Sequence, residues 1–287
     1  MSSSSGAQLR KLLSRTAPLV VPFAYDALSA RLIEDAGFPA VGISGSAVSA
    51  SLLAGPDRGL LSREETVGQA RRIAAAVPAL PVIADADTGY GDLSQIAGTI
   101  REFESAGVAA FFMEDQQDPK RCGHLEGKRV LSSDEMLAKL KAVLEARRDP
   151  EFVVIARTDA LASEGLEGAA ARARAYLEAG ADMAFVATPR TVEELRTLPQ
   201  LVQGPLMVVL SEGGITPLLS VAELDEMGYK LIGYSGLAIG AAARGIQLGL
   251  LALKEDGTTV GLAESIMPLA ERNRLLVLET TEIEEDS

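Results

Sequence analysis

The chain has 287 residues, with 27 Lys plus Arg against 40 Asp plus Glu and a formal charge of −13. That acidity argues against nucleic-acid and anionic-membrane partners, both of which need basic surface. Apolar residues make up 47%, enough for a large core and too many for a disordered chain.

Residues 1–6, mostly Ser, show no basic segment followed by a long apolar stretch, so no signal peptide is read there and a cytoplasmic protein is expected. A short helix is expected over 7–13. From residue 19 onward, short apolar runs alternate with helical patterns. The runs fall at 19–22, 40–43, 81–84, 109–113, 152–156, 183–186, 206–210 and 230–233. Each is nearly continuous Val, Ile, Leu, Phe and Ala, as suits parallel strands buried on both faces. Helical spacing covers 27–36, 63–76, 93–106, 133–147 and 166–179. Gly37, Gly107 and Gly180 follow three of these segments as C-cap residues, and the repeated Ala-Gly ending marks a weak βα periodicity.

Residues 231–253 carry one charge, Arg244, and are long enough to span a bilayer. Gly233, Gly236, Gly240 and Gly245 interrupt them. The stretch therefore reads as a buried strand, a turn and a well-packed helix, with no membrane partner. The chain closes with a helical extension over 261–287, whose acidic end at 279–286 reads as a solvated terminus.

Eight βα units in about 250 residues predict an α/β fold of TIM type, a (β/α)8 barrel with an N-terminal helix. The alternative is a doubly wound sheet, but eight strands without a Gly-rich phosphate fingerprint speak against it. One barrel domain is expected, with a core over about 8–260.

In such a barrel the chemistry lies at the C-terminal strand ends. There the chain carries Ser44-Gly45-Ser46, Asp85-Ala86-Asp87, Glu114-Asp115-Gln116, Arg157-Thr158-Asp159 and Ser211-Glu212. Asp85, Asp87 and Glu114 would repel one another unless a cation sits between them, and hard oxygen ligands suit Mg²⁺ or Mn²⁺. Alternatively these acids cap helices or pair with Arg157. Arg157 suits a bidentate grip on a carboxylate or phosphonate, or else a structural ion pair.

Residues 115–131 show no helix or strand pattern, and loops of that length in compact domains tend to be functional. This one holds the only Cys and the only His, in Lys120-Arg121-Cys122-Gly123-His124. One of each cannot build an intramolecular disulfide or a Cys/His zinc cluster. Positive neighbours are expected to lower the Cys122 pKa and make the thiol a usable acid or base, unless it is simply packed. Gly123 and Gly127 are candidate hinges of a lid.

Taken together, Asp85-Ala-Asp-Thr-Gly-Tyr-Gly91, Glu114-Asp-Gln116, Pro119-Lys-Arg-Cys-Gly-His-Leu-Glu-Gly-Lys-Arg129, Ala156-Arg-Thr-Asp-Ala160 and Glu212-Gly-Gly-Ile-Thr-Pro217 resemble the isocitrate lyase / phosphoenolpyruvate mutase superfamily. Methylisocitrate lyases, dimethylmalate-type lyases and carboxyphosphonoenolpyruvate phosphonomutases are the nearest likenesses, over roughly residues 8–260. The resemblance implies a barrel whose C-terminal helix swaps between subunits, in a homo-oligomer that is a dimer of dimers. It implies Mg²⁺ at Asp87, with Asp85 and Glu114 contributing directly or through water. Ser44, Gly45 and Ser46 would bind the 2-oxo-acid end of a small carboxylate substrate, with Asp57 nearby. Arg157 would hold a carboxylate, and Cys122 would protonate the carbanion left by C–C cleavage. Gly123 and His124 would belong to the closing lid, and Glu212 is a further substrate-binding candidate.

Two positions depart from the pattern. Lyases of this superfamily carry Glu at the end of strand six and Asn at the end of strand seven, where this chain has Ala187 and Val209. The change points to a less charged substrate arm, or to a register in which Ser211, Glu212 or Thr188 takes over. The expected activity is a Mg²⁺-dependent C–C lyase on a 2-hydroxy di- or tricarboxylate. The alternatives are P–C bond chemistry on a phosphonopyruvate-like acid, a decarboxylase or hydrolase, and a barrel that binds a small acid without turnover.

Overall fold

Eight parallel strands hydrogen-bond in sequence order and close β1 onto β8. They are β1 (Leu19–Ala24), β2 (Val41–Ile43), β3 (Val82–Asp85), β4 (Ala110–Glu114), β5 (Val153–Thr158), β6 (Met183–Val186), β7 (Leu206–Leu210) and β8 (Leu231–Tyr234). The computed structural model describes residues 4–125 and 127–276. The expected acidic end at 279–286 lies outside the described residues. The fold is the expected TIM-type barrel.

Helices α1 (Ser5–Leu13), α2 (Ala27–Asp35), α3 (Gly45–Leu53), α4 (Arg63–Ala76), α5 (Leu93–Ser105), α6 (Ser133–Ala146), α7 (Leu161–Glu178), α8 (Val192–Val202) and α9 (Val221–Met227) accompany the strands. Six of them begin with a reciprocal capping box. At α4, for example, the Ser62 hydroxyl accepts from Glu65 N–H while Glu65 accepts from Ser62 N–H. Each box satisfies two backbone donors that the first helical turn would otherwise leave unpaired. α7 begins earlier than its periodicity predicts and is broken at Gly165, whose φ of +69° favours glycine.

Side chains alternate along each strand, so positions two apart share the barrel interior. Val21, Phe23, Ile83, Phe112, Ile155, Phe185 and Met207 form one buried interior cluster. Two glycines make room for the Phe23 ring: a Cβ on Gly42 would lie 2.1 Å from it and one on Gly233 2.8 Å. The outward faces pack against the helices in two further clusters. The inward alternation carries on to the strand ends. Asp85 follows Ile83, Glu114 follows Phe112, Arg157 follows Ile155, Ala187 follows Phe185 and Val209 follows Met207. The rim residues are therefore the top layer of the core.

The chain divides into two compact units between Ala238 and Ile239. The second unit holds most of α10 (Leu237–Asp256) and all of α11 (Leu269–Leu276). Among the described residues, α10 is the one helix long and apolar enough to cross a membrane by length and composition. It is not the well-packed helix that its composition suggests, since none of its residues is buried.

Candidate active site

Parallel register brings the rim charges together. Glu114 pairs with Arg157 across β4 and β5, and Asp85 pairs with Phe112, two residues before Glu114. A cavity opens there. Ser44, Ser46, Asp57 and Asp85 line it, together with Cys122, Gly123 and His124 of the loop, and Arg157. Asp87 and Glu114 are buried beside these residues.

Five carboxylates (Asp57, Asp85, Asp87, Glu114, Asp159) meet three cations here. Lys120 pairs with Asp57 and, at 2.6 Å, with Asp87. Arg157 pairs with Glu114 at 2.9 Å and with Asp159 at 2.8 Å, and lies 5.4 Å from the Phe185 ring centroid. Lys128 pairs with Asp159 at 3.2 Å and donates to Gly123 O. Five acids against three cations leave an excess of two negative charges if all are ionised. Burial, and then Asp87, push Asp85 up to about 7. Burial also holds Glu114 well above the usual carboxylate range despite Arg157. Burial acts the same way on Asp159, but Arg157 and Lys128 outweigh it and lower that carboxyl.

Among the described residues, no three His, Cys, Asp or Glu side chains stand together as a preformed metal cage. The donor chemistry nonetheless fits a hard divalent cation. Glu114 Oε1 is buried without a hydrogen bond, and the excess charge of the cluster would be offset by one such ion. Mg²⁺ keeps several waters and needs only one or two protein carboxylates.

The loop over 115–131 is tied down at several points. Gln116 and Val130 form an antiparallel bridge. The Gln116 amide brackets Arg121, donating to its carbonyl at 2.8 Å and accepting from its N–H at 2.9 Å. Cys122 N–H donates to Asp57 O at 3.0 Å. His124 Nδ1 accepts from Ile215 N–H at 3.1 Å, which joins the loop to the one after β7 and leaves the imidazole proton on Nε2. Gly123 is a close-approach residue here, since a Cβ would sit 3.0 Å from the Arg157 guanidinium. Gly127, at φ +77°, does adopt the left-handed backbone.

The expectation for Cys122 is reversed in sign. Burial raises the thiol pKa, and Asp57 adds to that, outweighing Arg157 and Lys120. The thiol is thus held protonated, as a proton donor requires. Burial, then Arg157 and Lys128, lower the His124 pKa and keep the ring neutral.

The remaining sequence candidates fall in different places. Ser44 caps α3, and its hydroxyl lies 3.1 Å from that of Ser46. Gly45 N–H points at Asp85 Oδ2, 3.3 Å away, rather than being free for a substrate. Glu212 is not among the cavity-lining residues; its carboxylate lies beside Gly236, where a Cβ would be 2.8 Å from it. Ala187, Thr188 and Val209 do line the cavity, so no register shift puts Ser211 or Glu212 in their stead.

Sequence reasoning left out Lys128, Asp159 and Asp115. Asp115 is fully buried and accepts from the Thr158 and Tyr176 hydroxyls at 2.7 and 2.9 Å, from Asp159 N–H at 2.9 Å and from Arg172 at 3.2 Å. It thereby locks the end of β4 to the end of β5. An acid directly after Glu114 was the available signal.

Residues 9–252 match the family model described as phosphoenolpyruvate phosphomutase. The chain is 41% identical over 276 residues to 2,3-dimethylmalate lyase of Eubacterium barkeri, covering 96% of this chain and 95% of that protein. A structure of oxaloacetate acetylhydrolase with the inhibitor 3,3-difluorooxalacetate matches with a TM-score of 0.89 at 36% identity, covering 95% of this chain and 92% of that one. Phosphonopyruvate hydrolase, solved with oxalate and Mg²⁺, matches with a TM-score of 0.86 at 30% identity, covering 96% and 95%.

Proposed function

The chain belongs to the phosphoenolpyruvate phosphomutase family, within the isocitrate lyase superfamily, and is an enzyme of the lyase type; we propose that it cleaves a C–C bond in a 2-hydroxy di- or tricarboxylate with the help of Mg²⁺ or Mn²⁺. The observation that carries this reading is the Cys122 thiol, held protonated by burial in a cavity shared with Asp85 and Arg157.

In such a cleavage the hydroxyl proton passes to a rim carboxylate and the adjacent C–C bond breaks. Its electron pair stays on the departing fragment, delocalised into that fragment's carboxyl group. Cys122 returns a proton to the carbon. Ser44 and Ser46 present hydroxyls to the oxo-acid end. Arg157 and His124 Nε2–H supply donors for a carboxylate. The loop over 115–131, tied to Asp57 and Asp87 through Lys120, excludes water while the carbanion exists. Asp87 would hold the divalent ion, with Asp85 and Glu114 contributing directly or through water, and the ion would stabilise negative charge on oxygen.

A second reading, P–C bond chemistry on a phosphonopyruvate-like acid, is favoured by the likeness to phosphonopyruvate hydrolase. The test is an assay with Mg²⁺ over methylisocitrate, isocitrate, alkyl-substituted malates, oxaloacetate and phosphonopyruvate, trapping any 2-oxo acid released. Release from a malate or isocitrate analogue supports the lyase. Turnover of phosphonopyruvate alone would replace it with the second reading.

The proposed enzyme works in the cytoplasm as a homo-oligomer, a dimer of dimers, with α10 exchanged between subunits. In support, α10 exposes Ile246, Leu248, Leu250 and Leu251, an apolar set that a monomer would leave in water. Light scattering reads the subunit number.

A further inference from the structure

Helix α6 turns Met136, Lys139, Leu140 and Val143 inward as one buried face, at the spacing of an amphipathic helix. Met136, Leu140 and Val143 belong to one of the two clusters between strands and helices. Lys139 sits among them and is only 8% exposed. A lysine in that place loses its water, which is costly unless its ammonium finds a partner. The partner is not an acid. Lys139 Nζ donates to the backbone carbonyl of Thr88 at 2.6 Å, and among the described residues it forms no ion pair.

Thr88 lies in the turn that follows β3. The backbone there is left-handed at Asp87 (φ +47°), Gly89 (φ +92°) and Tyr90 (φ +56°). With a Cβ that conformation is disfavoured, and it persists only where the surroundings impose it. Three hydrogen bonds impose it from the rim. Asp87 N–H donates to Asp85 Oδ1 at 3.0 Å, Gly89 N–H to Ala86 O at 2.8 Å and Glu114 N–H to Asp87 O at 2.8 Å. Two side chains from neighbouring helices complete the set: the Thr99 hydroxyl donates to Gly89 O at 2.8 Å, and Lys139 to Thr88 O. Thr88 is buried, so water could not replace the ammonium at its carbonyl. Without that donor the peptide between Thr88 and Gly89 would turn to find another. The adjoining Asp87 carboxylate would then leave the place where Lys120 and the Tyr90 hydroxyl meet it.

We infer that Lys139 is a positioning residue: by holding the Thr88 carbonyl from α6 it fixes the turn over 86–91, and with it the Asp87 carboxylate, and so sets the affinity of the rim for a divalent cation. Lys139 does not itself line the cavity. The effect on affinity rests on the reading of Asp87 as the ion's ligand; the effect on the turn does not.

The experiment compares wild type, Lys139→Met and Leu140→Ala. Methionine keeps the length of the side chain and suits the apolar face of α6. Leu140→Ala loosens that same face while leaving the bond from Lys139 to Thr88 in place. Chelator-treated protein is titrated with Mn²⁺ alone, the free ion being read by electron paramagnetic resonance. Deuterium exchange of the peptide spanning 86–91 is followed in the metal-free protein. Lys139→Met should weaken Mn²⁺ binding by about 10- to 100-fold, the range found when groups that orient metal ligands are removed. Its turn should exchange faster than that of wild type, with β5 unchanged. Leu140→Ala should lower the melting temperature while keeping wild-type Mn²⁺ affinity and wild-type exchange of the turn. Unchanged exchange of the turn in Lys139→Met overturns the inference, as does unchanged affinity where the wild type binds Mn²⁺. Equal losses in Leu140→Ala also overturn it, since general loosening of α6 would then account for them. If the wild type binds no Mn²⁺ and the turn exchanges faster in Lys139→Met alone, the positioning of Asp87 is upheld and its reading as the ion's ligand fails.

Discussion

Glu114 Oε2 and Arg157 Nη1 stand 2.9 Å apart as register partners on β4 and β5, and both residues are buried. Asp159 holds the far side of the same guanidinium at 2.8 Å. One cation therefore compensates two buried carboxylates inside the barrel mouth. Removing it strands Glu114 and leaves Asp159 with Lys128 alone, and breaking a buried pair from one side costs about 3–5 kcal/mol. Arg157→Met should lower unfolding stability by about that amount in urea titration, besides abolishing turnover. A variant as stable as wild type would mean that Glu114 and Asp159 are protonated or solvated and that the pairing is incidental.

Cys122→Ser keeps the size and the hydrogen-bonding capacity of the side chain but puts a far weaker acid in the cavity. Turnover should fall at least about a hundredfold, the lower end of general acid–base contributions. Melting temperature should stay near wild type, since the thiol is only half-buried. Because burial raises the thiol pKa, alkylation by iodoacetamide should be slow at neutral pH and accelerate only at alkaline pH. Unimpaired turnover in the serine variant would make Cys122 a packing residue.

The excess of acids over cations at the rim gives a metal prediction with two readouts. Adding Mg²⁺ to chelator-treated protein should restore turnover. It should also raise the melting temperature, because an ion that binds the folded state shifts unfolding by mass action. In Glu114→Gln the orphaned carboxylate oxygen is lost with its charge, so both responses should need more Mg²⁺. Full turnover in the presence of chelator would remove the ion from the proposed chemistry.

How much of this was legible in sequence follows from which interactions are local. Continuous apolar runs located all eight strands, yet strands β3, β4 and β5 run on into Asp85, Glu114 and Arg157-Thr158. Polar residues do not read as strand, and only pairing with a neighbouring strand makes them so. Helices α8 and α9 received no predicted bounds, although Thr191 to Glu194 and Ser220 to Glu223 are capping boxes that announce them. Pro199 inside α8 masked its periodicity. The rim acids, the cysteine and the arginine were visible as residues, but not who pairs with whom. The direction of the Cys122 shift came out reversed because sequence shows the neighbouring charges and not the burial that overrides them. Lys128 and Asp159 are 31 residues apart in the chain, and nothing local predicts their pairing.

His124 supplies a pH prediction whose sign can be worked out. Its Nδ1 accepts from Ile215 N–H, so the ring must stay neutral for the loop over 115–131 to hold the loop after β7. Burial, then Arg157 and Lys128, place the folded pKa below the ordinary 6.5. Once pH falls below about 6.5 the unfolded chain binds a proton there that the folded chain refuses, so stability drops. Asp85 works in the opposite direction. Raised to about 7, it is protonated in the folded state while still ionised in the unfolded one, which adds stability as pH falls from neutral toward 4. The wild-type curve therefore mixes both signs. His124→Asn isolates one of them, because an Asn side-chain oxygen can accept from Ile215 N–H without titrating. The stability gap between wild type and His124→Asn, read by urea unfolding, should shift against the wild type between pH 7.5 and 5.5. A gap that stays constant over that range would show that the imidazole is solvated and that the two loops are not joined through it.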